Sequence, residues 1–136
     1  MAFNELIVNG FGESSPTLNG VGIGSTASGS TFLVGRAKTG TVSATVALNA
    51  ATALITLTPI WEVSADGATW TRAALANSAA YVAQASAGTT NTRVVSAPDA
   101  VYSQRYARVS ILVGGAAGLA ADTATVGYNY IEDDLV

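Results

Sequence analysis

The stretch Ala53–Ala74, ALITLTPIWEVSADGATWTRAA, constrains the fold of this chain more than any other. Ile55, Leu57, Trp61 and Val63 share one parity, with Thr56, Thr58 and Glu62 on the other, the pattern of a half-buried strand. Pro59 interrupts that arm and has no N–H to give a central ladder, so an edge position or a bulge is expected there. Ser64-Ala65-Asp66-Gly67 supplies a turn, because Ser and Asp bond to nearby backbone and Gly takes positive φ at no steric cost. A two-residue loop at Asp66-Gly67 sets Val63 opposite Trp70 and both tryptophans on one face. A three-residue bulged loop, the reading favoured here, sets Glu62 opposite Trp70 and the rings on opposite faces.

The same period runs elsewhere. In Thr41–Leu48, Val42, Ala44, Val46 and Leu48 alternate with threonine, serine and alanine, an apolar face backed by a small hydroxyl face that solvent or a neighbouring subunit covers. Gln104–Val113 puts Ala107, Val109, Ile111 and Val113 on one side, and Ala120–Ile131 does so with Ala124, Val126, Tyr128 and Tyr130. Shorter strands are expected over Thr31–Ala37, Ala80–Ala85 and Asn91–Ser96. No amphipathic helical period stands out. The expected fold is all-β, an antiparallel β-sandwich of jelly-roll or immunoglobulin-like topology with roughly seven to nine strands. Tyr102, Tyr106, Tyr128 and Tyr130 are expected at the rim of its core, hydroxyls in water.

The chain divides into a flexible Gly/Ser-rich arm with loops over residues 1–30, the sandwich over 31–131, and an acidic tail over 132–136. Within the arm, Phe3–Val8 reads as a short strand or an extended arm, and Thr17–Ile23 as one further short strand. Gly20, Gly22 and Gly24 do not make a dinucleotide loop, because Ser25 stands where the third glycine belongs.

Charged residues are 11% of the 136, against roughly 25% in ordinary soluble domains. A surface so poor in charge suggests assembly with neighbours. With a net charge of −3 and six scattered cations, no basic stripe for nucleic acid forms. Cysteine and histidine are both absent, which removes thiolate and imidazole ligands, cysteine nucleophiles and any Ser-His-Asp triad. Of the nine acids, Glu62 alone falls in a clear strand, so no carboxylate pair can be placed and no enzyme is expected. No cofactor is expected either. The N-terminus has no signal-peptide pattern, and no run reaches the ~20 apolar residues of a membrane span, so the expectation is a soluble protein made in a cytoplasm with no membrane partner.

The pair WEVSADGATW and RYARVSILVGGAAGLAADTATVGYNY resembles small structural proteins of tailed bacteriophages, in which a W-x-V-S-x-D-G-x-x-W hairpin precedes a strand pair with Y-x-R-V and a closing Y-N-Y. The likeness is to head decoration, or cement, proteins, and covers Trp61–Ile131. The resemblance implies a small β-sandwich that binds the major capsid protein on the outer capsid surface of a virion, as a homo-oligomer, commonly a trimer, and stabilises the shell by multivalent contacts. Phe3, Leu6, Val8 and Phe11 of the arm, with Arg105 and Arg108, are the candidate contacts. Two other readings stay open: a carbohydrate-binding or adhesive module with Trp61 and Trp70 exposed as a stacking platform, and a phage tail or fibre part.

Overall fold

In a computed structural model, residues 7–33, 40–73, 83–84, 90–98, 101 and 103–132 are described. They form ten strand segments: β1 (Ile7–Ser14), β2 (Thr26–Ser28), β3 (Phe32–Leu33), β4 (Gly40–Asn49), β5 (Thr56–Ser64), β6 (Thr71–Arg72), β7 (Ala83–Gln84), β8 (Thr90–Ser96), β9 (Tyr106–Gly114) and β10 (Thr123–Glu132). One antiparallel sheet has the order β1-β10-β4-β8, the other β2-β9-β5-β6. The short β3 extends β2 along the same free edge of β9, and β7 extends β6 along the free edge of β5. Each broken pair fills one strand position, so the fold is a β-sandwich of eight positions, four in each sheet. Numbered by position, the sheets read 1-8-3-6 and 2-7-4-5, the order of a jelly roll rather than of an immunoglobulin domain.

The apolar parities meet between the sheets. Val42, Ala44, Val46 and Leu48 of β4 and Ala124, Val126 and Tyr128 of β10 face Ile55, Leu57, Trp61 and Val63 and the apolar side of β9, all buried. Trp61 and Tyr128 lie at its centre with ring centroids 6.2 Å apart. Pro59 sits within the sheet at a local edge. It shares the parity of Trp61, whose carbonyl accepts from Ala73 on the β6 side. Its missing donor points to the side where β7 pairs with Thr56 and Leu57 and β6 with Glu62 and Val63, and among the described residues no strand pairs with Pro59 on that side.

Several expectations are corrected. Within the segment expected as a flexible arm with loops, the described residues include two strands: Ile7–Ser14 pairs along β10 with a bulge between Gly10 and Glu13, and Thr26–Ser28 pairs with β9, while Thr17–Ile23, expected as a short strand, is irregular. Glycine and polar residues obscured these strands because pairing partners more than 80 residues away supply their order. Glu132, expected in the acidic tail, closes β10. The hairpin register matches neither loop, since Glu62 pairs with Arg72 and Val63 with Thr71. The turn is wider because Ser64 and Asp66 fold Ser64–Thr69 upon itself. The Ser64 hydroxyl accepts from Gly67 N at 2.9 Å, and Asp66 Oδ1 accepts from Ala68 N and Thr69 N at 2.8 and 2.9 Å. The tryptophans still face opposite ways, Trp61 inward and Trp70 outward, half-buried.

Tyr128 is no rim residue. It is fully buried, and its hydroxyl crosses the sandwich to accept from Val109 N at 2.8 Å and donate to the Ser30 carbonyl at 2.6 Å. The break between β2 and β3 explains this, because Val109 lies opposite the break and the phenol replaces the missing strand partner. Gly29 must be glycine here: a Cβ would stand 2.5 Å from the Val109 carbonyl oxygen and 3.0 Å from the phenol oxygen. Burial, opposed by the Val109 hydrogen bond, pushes the phenol pKa up to about 12.

Candidate docking surface

The connections β1–β2, β4–β5 and β9–β10 each cross between the sheets and gather at one end of the sandwich. Their side chains are small or apolar, and the one ionisable residue among Ser15–Ser25, Ala50–Ile55 and Gly115–Asp122 is Asp122. That carboxylate is buried and fully occupied. Oδ1 accepts from Ala51 N at 2.7 Å and Thr52 N at 2.9 Å. Oδ2 accepts from Leu119 N at 2.8 Å and from the Thr52 hydroxyl. Burial alone would raise its pKa, but the Thr52 hydroxyl and the three backbone donors outweigh that and hold it below the usual carboxylate value.

Backbone contacts fix the third loop. Gly20 N donates to the Gly118 carbonyl at 3.0 Å, and Gly118 N to the Val21 carbonyl at 2.9 Å. Gly118 packs so closely that a Cβ would lie 2.1 Å from the Leu18 carbonyl oxygen, and at Gly115 it would lie 2.0 Å from that of Leu54. On this platform stand three exposed apolar side chains, one per loop: Ile23 at 66%, Leu54 at 81% and Leu119 at 55% exposure. Leu54 is held at φ 68°, a conformation that is strained for a side chain bearing Cβ and Cγ. A glycine would be easier there, yet a leucine occupies the position and projects outward.

The outer face of the second sheet carries a different cluster. Arg108 Nε donates to Glu62 Oε1 at 2.9 Å, and the same oxygen accepts from the buried Ser110 hydroxyl. The Arg108 guanidinium lies 4.1 Å from the centre of the Trp70 ring. Planar stacking and pairing on adjacent strands lock these groups into one another. At the end remote from the apolar loops, a cleft of about 320 Å³ is lined by Val63, Ser64, Ala65, Asp66, Thr69, Thr71 and Gln104. Its acid is Asp66, whose pKa the Thr69 and Ala68 amides and the Ser64 hydroxyl lower to about 2.

Of the candidate contacts, Phe3 and Leu6 lie outside the described residues. Val8 and Phe11 fall on β1, Val8 opposite Ile131 and Phe11 within the bulge. Arg105 is exposed beside the Tyr106 ring, at 5.6 Å, and Arg108 is engaged by Glu62 and Trp70. Val8 and Phe11 thus lie on an edge strand of the first sheet, and Arg105 and Arg108 beside and on β9 of the second. A stacking platform of two exposed tryptophans is corrected: Trp61 is buried in the core, because its parity on β5 is that of Leu57 and Val63. Ile23, Leu54 and Leu119 were missed by sequence reasoning, although lone large apolar residues within G-I-G and GGAAGL segments were a usable signal. Among the described residues, no group of three or more acidic, histidine or cysteine side chains is placed to hold a metal, and no helix is long and apolar enough to cross a membrane. No family model, curated protein or solved structure matches this chain.

Proposed function

We propose that this chain is a non-enzymatic structural protein of a phage particle, a decoration protein that binds the major capsid protein on the outside of the assembled shell. The observation that supports this most is the preformed apolar loop end, with Leu54 held outward in a left-handed conformation. Its uncharged rim needs no desolvation of ions when it meets another protein.

Magnitudes decide how such an end must work. Burying a large aliphatic side chain yields about 1.5–3 kcal/mol, so three that are already partly covered yield about 3–5 kcal/mol together. Association costs an estimated 4–15 kcal/mol in lost freedom. One end alone therefore binds weakly, and several copies joined to one another bind firmly by raising the effective concentration of each remaining contact. A capsid lattice, with its repeated sites, suits that arithmetic, as does the homo-oligomer that the sequence resemblance implies.

The test is co-sedimentation with capsids assembled from the capsid protein encoded beside this gene. The protein is expected to pellet with them to a fixed stoichiometry, and Leu54→Gly combined with Ile23→Ser to abolish pelleting while the sandwich stays folded. Protein that remains in the supernatant at saturating capsid refutes the reading, and recovery on tails instead of heads assigns the chain to the tail.

A further inference from the structure

Among the described residues, the outer face of the first sheet carries almost no charge, as the loop end does, but over a flat array of paired strands. Its rows follow the ladder: Ala47 stands between Thr92 and Thr125, and Thr45 between Val94 and Gly127. Every described side chain that β4, β8 and β10 present on this face is a hydroxyl, a carboxamide, a small aliphatic group or glycine. The one ionisable group described on it is Glu13, on the edge strand β1. The outer face of the other sheet, by contrast, bears Glu62, Arg72 and Arg108.

We infer that this face pairs with the same face of a second copy. Two physical reasons favour a copy over another occupant. In a two-fold contact each group near the axis meets its own image, so a charge there meets a like charge, and a face without charges escapes that repulsion. Hydroxyl and carboxamide groups also carry donor and acceptor together, so a face made of them can hydrogen-bond to itself, which a lysine or glutamate face cannot. Asn129 already shows this self-matching chemistry, donating from Nδ2 to the Thr45 hydroxyl at 2.9 Å. Val94, 60% exposed at the β8 side, supplies an apolar contact.

The area sets the strength. Strands of seven to ten residues at about 3.3 Å per residue, four abreast at about 4.8 Å, give a face of about 550 Å². Two copies then bury about 1,100 Å², just above the roughly 1,000 Å² that a specific interface needs. The pair is accordingly a weak, concentration-dependent dimer, in place of the trimer that the sequence resemblance implies. A two-fold axis parallel to the strands leaves both loop ends pointing the same way, so the pair offers two apolar ends to one surface. The pairing itself does not depend on what those ends bind.

Sedimentation equilibrium of the whole chain tests it. Nothing lies within 4 Å of where a Cβ on Gly127 would stand, so Gly127→Arg places a charge in the middle of the face without crowding. The wild type is expected to rise from the mass of one 13.6 kDa chain to that of two as its concentration reaches the millimolar range. Gly127→Arg is expected to stay at one chain with unchanged urea stability. Val94→Lys, at an exposed site, repeats the test if the first variant does not fold. A wild type that stays monomeric, a mass of three chains, or a dimer that Val94→Lys leaves intact overturns the inference.

Discussion

Removing one oxygen atom, in Tyr128→Phe, is expected to destabilise this protein severely. The ring keeps its place against Trp61, so packing is held nearly constant. What is lost is the bridge between the sheets: Val109 N–H, deep in the core, loses its acceptor and the Ser30 carbonyl loses its donor. An orphaned buried polar group costs about 1–3 kcal/mol, so the two together cost about 2–4 kcal/mol. For a chain of this length that lowers Tm by about 10 °C. The pH dependence gives a second, independent reading. The folded pKa, about 12, stands above the unfolded value of about 10. The stabilisation from the neutral phenol is therefore whole below pH 10 and is lost as pH rises from 10 through 12. Across that window the advantage of wild type over variant is expected to shrink by about 2–3 kcal/mol. Urea unfolding of both proteins at neutral pH and at steps from pH 9 to 12 measures both effects. A variant within about 0.5 kcal/mol of wild type at neutral pH, with a difference that does not change with pH, refutes the reasoning.

Further expectations follow from the loop end and the outer cluster. Asp122→Ala leaves three backbone amides and one hydroxyl without an acceptor and is expected to cost about 2–4 kcal/mol in chemical unfolding. Because the folded pKa of Asp122 is lowered, its contribution is present above pH ~4 and fades as pH falls below it, so wild type loses its lead over Asp122→Asn in acid. Gly115→Ala drives a methyl into the Leu54 carbonyl and is expected to cost more than about 2 kcal/mol. Leu54→Gly relieves strain at φ 68° and is expected to unfold within about 1 kcal/mol of wild type while losing capsid affinity. Arg108→Ala uncovers the Trp70 ring, which a red shift in emission and easier iodide quenching will report while Trp61 stays shielded.

Much of the fold was legible wherever one face is apolar and the other polar. The alternations of Val42–Leu48, Ile55–Val63 and Ala107–Val113 place those side chains in the core as read, because a one-residue slip would turn each apolar set to water. What stayed hidden depends on partners distant in sequence. Ile7–Ser14 has the composition of a loop and becomes a strand only because β10 offers it an edge. Tyr128 looks like any strand tyrosine until the gap between β2 and β3 is known, and Asp122 like any turn residue until the 50–52 backbone arrives beside it. The topology that separates a jelly roll from an immunoglobulin sandwich is likewise a matter of order in space. The apolar end was illegible for a related reason: Ile23, Leu54 and Leu119 are scattered over nearly 100 positions and meet through three loops that only the assembled sandwich brings together.

The most direct test of the proposed role is cryo-electron microscopy of undecorated capsids after incubation with the purified protein. It predicts density for the sandwich at regular lattice positions, with the Ile23, Leu54 and Leu119 end against the shell. A bare shell, or a sandwich seated on the capsid by any other surface, contradicts the account.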